Sequence, residues 1–370
     1  MWWARGAASL RGVAGVATAA AVCCASRGDV EASPQTQDKR SSVVFLGTGT
    51  SAANPSLSCV LGLNGRAHGG CEVCRKGQEG PPHENKNVRL NPSILVKRVA
   101  PQGGQVSHVL FDCGKTFREG ALRWFLRRDI PYVDAVVLTH DHADAIFGLD
   151  DLRLVQHRGK TLNVFSSMAT YEKIKCAFPY LIRDPVPAFT GAAKALKAAH
   201  EKENRDTDPL GTKIKTFVAS LAFTVMATPS LEEPSEHFNA AGLELVPVPV
   251  FHGPDYISLG FAFGKTKKFV YISDCSEVPE RTMKELKTWD IDVLVIDTMH
   301  PNLKYRSHMS LEESLEVVRE LAPRKTLLIG MMHSYDHDSG NADLAKLRDT
   351  EGLDVQLAFD GLELPLDFEI

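Results

Sequence analysis

The run Thr139-His140-Asp141-His142-Ala143-Asp144, directly after the apolar stretch AVVL, carries the strongest chemical signal in the chain. His140 and His142 stand two apart, so in extended backbone their rings project to the same side. Asp144 falls at the mouth of the next helix, close enough to add a carboxylate. Two imidazoles and a carboxylate at the carboxyl end of a strand suit Zn²⁺ or another borderline divalent ion. Ligand-type residues close three further apolar runs, at Phe251-His252-Gly253, Ser273-Asp274-Cys275 and Met332-His333. An isolated pair of histidines is usually a polar turn. Four such loci at strand ends are how an α/β scaffold gathers a site from distant sequence.

A second cluster is built on sulfur. Cys71-Glu72-Val73-Cys74 is a CxxC, with Cys59 upstream across a Gly- and Asn-containing stretch. Three thiolates are one ligand short of a closed tetrahedral zinc site. No thioredoxin-like strand and helix surround the pair, which argues against redox chemistry, while unliganded thiols in a surface loop remain the alternative. Cys113, Cys176 and Cys275 lie in apolar surroundings and read as small buried hydrophobes. One further motif is a decoy. Gly47-Thr48-Gly49-Thr50-Ser51-Ala52 has the spacing of a dinucleotide fingerprint, but Pro55 blocks the helix that a pyrophosphate would need.

These residues need a frame, and the hydropathy pattern supplies one. Short β-rich runs fall at 42–47, 93–99, 108–113, 135–140, 162–167, 243–251, 256–263, 268–274, 292–297 and 325–331. Helical periodicity covers 115–128, 143–156, 168–178, 279–288, 311–322 and 341–350. Ser310 and Glu313 form a capping-box pattern at the start of one of them. The alternation predicts an α/β layered domain with two sheets over 42–370. Two stretches look inserted, 62–91 with its Gly, Pro and charge, and 185–240.

The 370 residues include 13 His and 8 Cys, with 42 basic against 46 acidic side chains. A formal charge of −4 gives no bulk attraction to nucleic acid or anionic membrane. No run reaches the ~18 to 20 apolar residues of a strong transmembrane helix. Residues 1–28 contain Arg5, Arg11 and Arg27, no acid, and an Ala/Val/Gly-rich middle with Cys23 and Cys24. They read as a targeting segment, with organellar import (mitochondrial or plastid) favoured over a secretory signal or a cytoplasmic location. Residues 29–41 read as a polar linker.

In order along the chain, GTGTSAANPSLSC, CEVC, THDHADAIFGLDDLR, the ISD strand end, DTMHP, RSHMS and FDGLEL resemble one group within the metallo-β-lactamase superfamily. That group is the phosphoribosyl cyclic phosphate phosphodiesterases and their eukaryotic relatives. The resemblance runs from Ser42 to Glu363, interrupted by 185–240. It implies a four-layer αββα sandwich, two mixed sheets flanked by helices. It also implies an active-site ion, Zn²⁺ or Mn²⁺, held by His140, His142, His252 and Asp274. Asp274 would bridge to a second ion shared with Asp144 and His333. The family motif is HxHxDH, and this chain has Ala145 where the last histidine belongs, so the second position loses a ligand and the centre holds one ion or two. His308 matches a family histidine near the leaving group and becomes the candidate general acid, with His300 a weaker candidate on the same wall. For the structural zinc the resemblance implies a histidine just after the last catalytic one. Here that is His337, four residues beyond His333, whereas the family spacing of three lands on Asp336.

The function so implied is metal-dependent hydrolysis of small cyclic or linear phosphodiesters by metal-bound hydroxide, with Asp144 or Asp274 orienting the nucleophile and His308 protonating the departing alkoxide. The alternatives are thioester or lactone hydrolysis, RNA processing, and metal binding without turnover. RNA processing would call for a basic arm, and the charges of 185–240 are of both signs. The expected partner is a small-molecule phosphodiester, with no nucleic acid or membrane and with a homodimer left open.

Overall fold

The computed structural model describes residues 40–370 apart from 64, 66–70, 102–103, 183–218, 228–230 and 232–234. The targeting reading of 1–28 and nearly all of the linker fall outside the described residues. Lys39–Ile370 is one unit of mutual contacts.

Two sheets, each with seven strands among the described residues, carry the fold. The first contains β1 (Ser42–Gly47), β2 (Ser93–Val99), β3 (Val106–Phe111), β4 (Ala135–Val137), β5 (Leu162–Ser166) and β6 (Leu221–Val225), with β14 (Glu363–Pro365) beside β1. The second contains β7 (Phe238–Ala240), β8 (Leu243–Phe251), β9 (Ile257–Phe263), β10 (Lys267–Ile272), β11 (Asp290–Asp297), β12 (Lys325–Ile329) and β13 (Val355–Leu357). Alternate residues of both sheets, among them Val43, Phe111, Val137, Phe261, Tyr271 and Val295, interdigitate as the central core. Each outer face is covered by helices. Phe117–Trp124 and Met168–Ala177 pack on the first sheet, and Glu280–Leu286, Leu311–Leu321 and His337–Leu344 on the second. This is the four-layer sandwich.

Strand direction decides where chemistry can collect. β3, β4, β5 and β6 are mutually parallel, as are β10, β11, β12 and β13. β8 and β10 both run antiparallel to β9 and therefore run together. The exits of β3, β4, β8, β10, β11 and β12 thus open on one edge of the sandwich, the usual place for a site in such sheets. β8 tolerates Pro247 and Pro249 because β7 pairs only with Leu243–Leu245, so among the described residues no strand beside the two prolines calls for their missing N–H.

Three local expectations change. The periodic stretch 143–156 is a helical turn, Ala143–Ile146, followed by the 3₁₀ segment Leu149–Leu154. Tertiary bonds break it, because Cys113 N–H donates to Ala145 O and Gly148 N–H donates to Cys113 O, both at 2.7 Å. Gly148 also packs so close that a Cβ would come 2.4 Å from Gly114 O. Residues 221–225 and 238–240 are strands of the two sheets, so the stretch read as an insertion over 185–240 is shorter than its composition suggested. Cys176 is exposed, on the outer side of its helix, whereas Cys113 and Cys275 are buried as expected. Among the described residues, no helix is long and apolar enough to cross a membrane.

Candidate metal centre

His140 leaves β4 under tight control. Thr139 N–H and its hydroxyl both bond to buried Asp112 at the exit of β3, at 2.9–3.0 Å. The same hydroxyl oxygen lies 2.8 Å from His140 Nδ1. With the Thr139 proton committed to Asp112, Nδ1–H is the donor to Thr139, which leaves a lone pair on Nε2. That Nε2 is buried and has no partner among the described residues. Burial drives the His140 pKa down to about 4, against the pull of Asp274 and Asp144, so the ring is neutral at pH 7 and fit to bind a cation.

The other two imidazoles converge on it. His252 leaves β8 and donates from Nδ1 to Ser307 O at 2.7 Å, turning Nε2 to within 3.2 Å of His142 Nδ1. Burial lowers the His252 pKa as well. His142 is exposed and is held by the ring of Tyr256, stacked at 5.2 Å with planes 13° apart. The Tyr256 hydroxyl is itself tied to the Asp141 carboxylate and accepts from Asp141 N–H. The ligand atoms of His140, His142 and His252 all lie within 4.8 Å of one another. An orphaned buried nitrogen and converging imidazoles fit a divalent ion.

Asp274 leaves β10 beside them, grouped with His252 and His308 within the same 4.8 Å limit. Burial would raise its pKa, but its neighbours His140, His308 and His252 outweigh that and keep it low. Asp144 is buried in the first turn after the HxH run, and burial together with the Asp274 charge raises its pKa. His308 Nδ1 lies 2.7 Å from Asp297 Oδ2 and 4.0 Å from Asp274 Oδ1. Burial alone would lower His308, yet the Asp297 charge, with Asp274 and Asp144, lifts its pKa to about 9. Asp297, fully buried at the end of β11, is raised to about 6 by desolvation despite His308. The pair is ionised at neutral pH. His300 faces elsewhere, with Nδ1 accepting from the backbone N–H groups of Asn302 and Leu303.

The sulfur cluster corrects one expectation. Cys59, Cys71, Cys74 and His333 bring one ligand atom each within 4.8 Å of the others. His333 Nδ1 lies 3.1 Å from Cys71 Sγ and 3.4 Å from Cys59 Sγ. His333 therefore belongs with the cysteines rather than with Asp144 and Asp274, and His337 is not the fourth ligand. The turn after β12 explains both. Gly330 sits at φ +73° and swings the chain across to Thr48, whose carbonyl accepts from Met331 N–H. Asp336 then caps the helix beginning at His337, and its carboxylate also takes Lys76 and Asn87. His337 instead bonds Asn341 and lines a separate cavity of about 440 Å³ with Lys86 and Arg348. Burial, reinforced by the neighbouring Cys71 and Cys59 sulfurs, pushes the Cys74 thiol up to about 12 even though Ser56 N–H donates to it. Three thiolates packed this closely repel one another unless a cation sits among them, which suits a structural Zn²⁺.

Arg89 locks the loop that delivers His333. It is fully buried and donates to Met332 O, Tyr335 O and Asn87 Oδ1. Burial lowers its pKa to about 10, so it remains a cation. Arg89→Met strands those two carbonyls, and should destabilise the chain by about 3 kcal/mol in urea unfolding. A change under about 0.5 kcal/mol would remove this role from the residue.

Asp112, Tyr256 and Asp297 were not singled out from sequence. Asp112 and Asp297 end the apolar runs HVLFD and DVLVID, the same signature that marked Asp274. Nothing in the sequence flags Tyr256.

The fold is found in known proteins. A crystallised diphosphatase from the PhnP family is 26% identical, with a TM-score of 0.62 over 90% of this chain and all of that one. Zinc-bound PqqB from Methylobacterium extorquens, 16% identical, superposes with a TM-score of 0.56 over 88% of this chain and all of that one. The short form of human tRNase Z, 15% identical, gives 0.52 over 89% of this chain and all of that one. A Porphyromonas gingivalis protein named octanoyltransferase is 24% identical over 326 residues, 88% of this chain but 51% of that protein. The chain thus spans about half the length of that relative. Residues 107–331 match the family model of the β-lactamase superfamily domain. With the two-sheet sandwich and histidine-rich strand exits described above, the match places the chain in the metallo-β-lactamase superfamily of hydrolases.

Proposed function

We propose that the chain is a metal-dependent phosphodiesterase acting on small cyclic or linear diesters. The observation that carries the reading is the His308–Asp297 pair, set 4.0 Å from Asp274 beside the imidazole cluster. A thiolate leaves without a proton, whereas a sugar alkoxide needs one, and a positioned imidazolium supplies it. The 26% identical diphosphatase supports hydrolysis at phosphorus over thioester chemistry. A divalent ion on His140, His142, His252 and Asp274 would acidify water to a pKa of roughly 7 and offset charge on the phosphoryl oxygens. His140 and His252 present neutral nitrogens, fixed by Thr139 and by Ser307 O, and Tyr256 steadies His142. Asp144, on the same rim, orients the attacking water. His308 keeps its Nδ1 proton on Asp297, which holds the ring charged and aimed, and gives its Nε2 proton to the leaving oxygen.

The test is a comparison of leaving groups. With a ribose cyclic phosphate or another alkyl-leaving diester, His308→Ala should lower kcat/KM by roughly 10²- to 10⁴-fold. With bis-p-nitrophenyl phosphate, whose leaving group needs no proton, the same variant should lose less than about tenfold. Activity of the intact protein should decline as pH rises through the elevated His308 pKa near 9, because the protonated ring is the active form. Asp297→Asn removes the charge that raises it, and should move that decline to lower pH. Equal losses on both substrates, or a thioester cleaved faster than either, would overturn the reading.

A further inference from the structure

The family resemblance implies ligands for two ions, and this chain supplies them for one. A second ion beside Asp274 would draw on Asp144, on an imidazole at position 145 and on another after β12. Position 145 is alanine, its methyl buried in the core under the first sheet. The imidazole after β12 is His333, and its Nδ1 is 3.1 Å from Cys71 Sγ in the sulfur cluster. At the exit of β12 itself stands Gly330, and a Cβ there would lie 2.2 Å from Asp297 Oδ1, so the turn has no room for a side chain. The space against Asp274 is taken by His308, held on Asp297 at 2.7 Å. Among the described residues, Asp144 joins no group of three ligand atoms within 4.8 Å.

We propose that the active centre takes a single divalent ion, on His140, His142, His252 and Asp274, with the His308–Asp297 pair occupying the place of a second. The chain then holds two ions in all, one in each cluster, and Asp144 is a polar neighbour of the site rather than a ligand. The proposal rests on the metal chemistry of the reading above but not on its substrate.

Metal analysis of the full chain loaded with Zn²⁺ and freed of excess tests it. The count to read is the number of ions lost on substitution. His140→Ala with His142→Ala should lose one ion per chain, and Asp144→Asn, which keeps its shape, should lose none. Loaded with Mn²⁺, the protein should show the six-line spectrum of isolated ions and no signal from a coupled pair. Loss of two ions in the histidine variant, loss of one in Asp144→Asn, or a coupled-pair signal would overturn the proposal. Loss of none in the histidine variant would also overturn it, since no ion would then sit on these imidazoles. A chain that passes these tests and cleaves no phosphodiester keeps its one-ion centre and loses only the substrate reading.

Discussion

Cys71→Ala combined with Cys74→Ala should cost the chain one zinc per molecule and lower its thermal midpoint by about 10 °C. Structural zinc in small peptides contributes on the order of 10 kcal/mol of folding free energy. Here the two sheets stand without it, so only part of that reaches the global transition. Roughly 5 kcal/mol, at about 2 °C per kcal/mol for a domain of this size, sets the expected shift. The connection between β1 and β2 carries Cys59 and the CxxC helix Glu72–Lys76, which is too short to be stable alone. Besides the cluster, the CxxC helix itself is anchored by polar bonds such as that of Lys76 to Asp336. Calorimetry with metal analysis checks the result. An unchanged midpoint with the zinc gone would mean that the ion only decorates a loop held by Arg89 and Asp336.

The same substitution should reach the active edge. Met331 N–H bonds Thr48 O, and Gly49 bridges Met331, so the loop carrying His333 and the turn after β1 move as one. The glycine-rich turn that resembles a nucleotide fingerprint has this job. Gly47 and Gly49 let β1 and its exit pass against Asn91, Leu90 and Arg89, where a Cβ would come within 3 Å of backbone or side chain.

Much of the sandwich can be read from hydropathy because most strands are buried on both faces. β8 and β11 read as continuous apolar runs, and β8 has the bounds its sequence implies. β7, β13 and β14 could not be read that way, since each is three residues long and sits at or near a sheet edge. The ligands at strand exits could be found because an isolated polar residue after an apolar run is conspicuous. Asp297 was equally conspicuous and was passed over, since its partner His308 is eleven residues away in a loop. The pattern marks His333 as a ligand but not the cluster it joins. Its destination depends on the left-handed turn at Gly330 and on the Asp336 cap, and spacing along the chain does not encode direction.

Asp274→Ala should abolish turnover by on the order of 10⁴-fold while leaving the fold intact, and Thr139→Val should cost only 10- to 100-fold. The two residues act at different removes from the reaction. Asp274 is nearly fully buried, and although burial works against its charge, His140, His308 and His252 around it hold its pKa low and keep it ionised. Removing it deletes a ligand of the ion and the carboxylate beside His308 in one step, and several kcal/mol of lost electrostatic stabilisation gives a loss of that order. The strand before it keeps its pairing with β9 and β11, so the thermal midpoint of the metal-free chain should move little. Thr139 touches no substrate. It relays Asp112 to His140 Nδ1, and valine keeps its shape while freeing the ring to turn. Metal affinity should fall with kcat, and excess Zn²⁺ should restore much of the Thr139→Val activity but none of the Asp274→Ala activity. If zinc rescues both alike, Asp274 is one ligand among equals; if it rescues neither, Thr139 and Asp112 belong to the reacting centre itself.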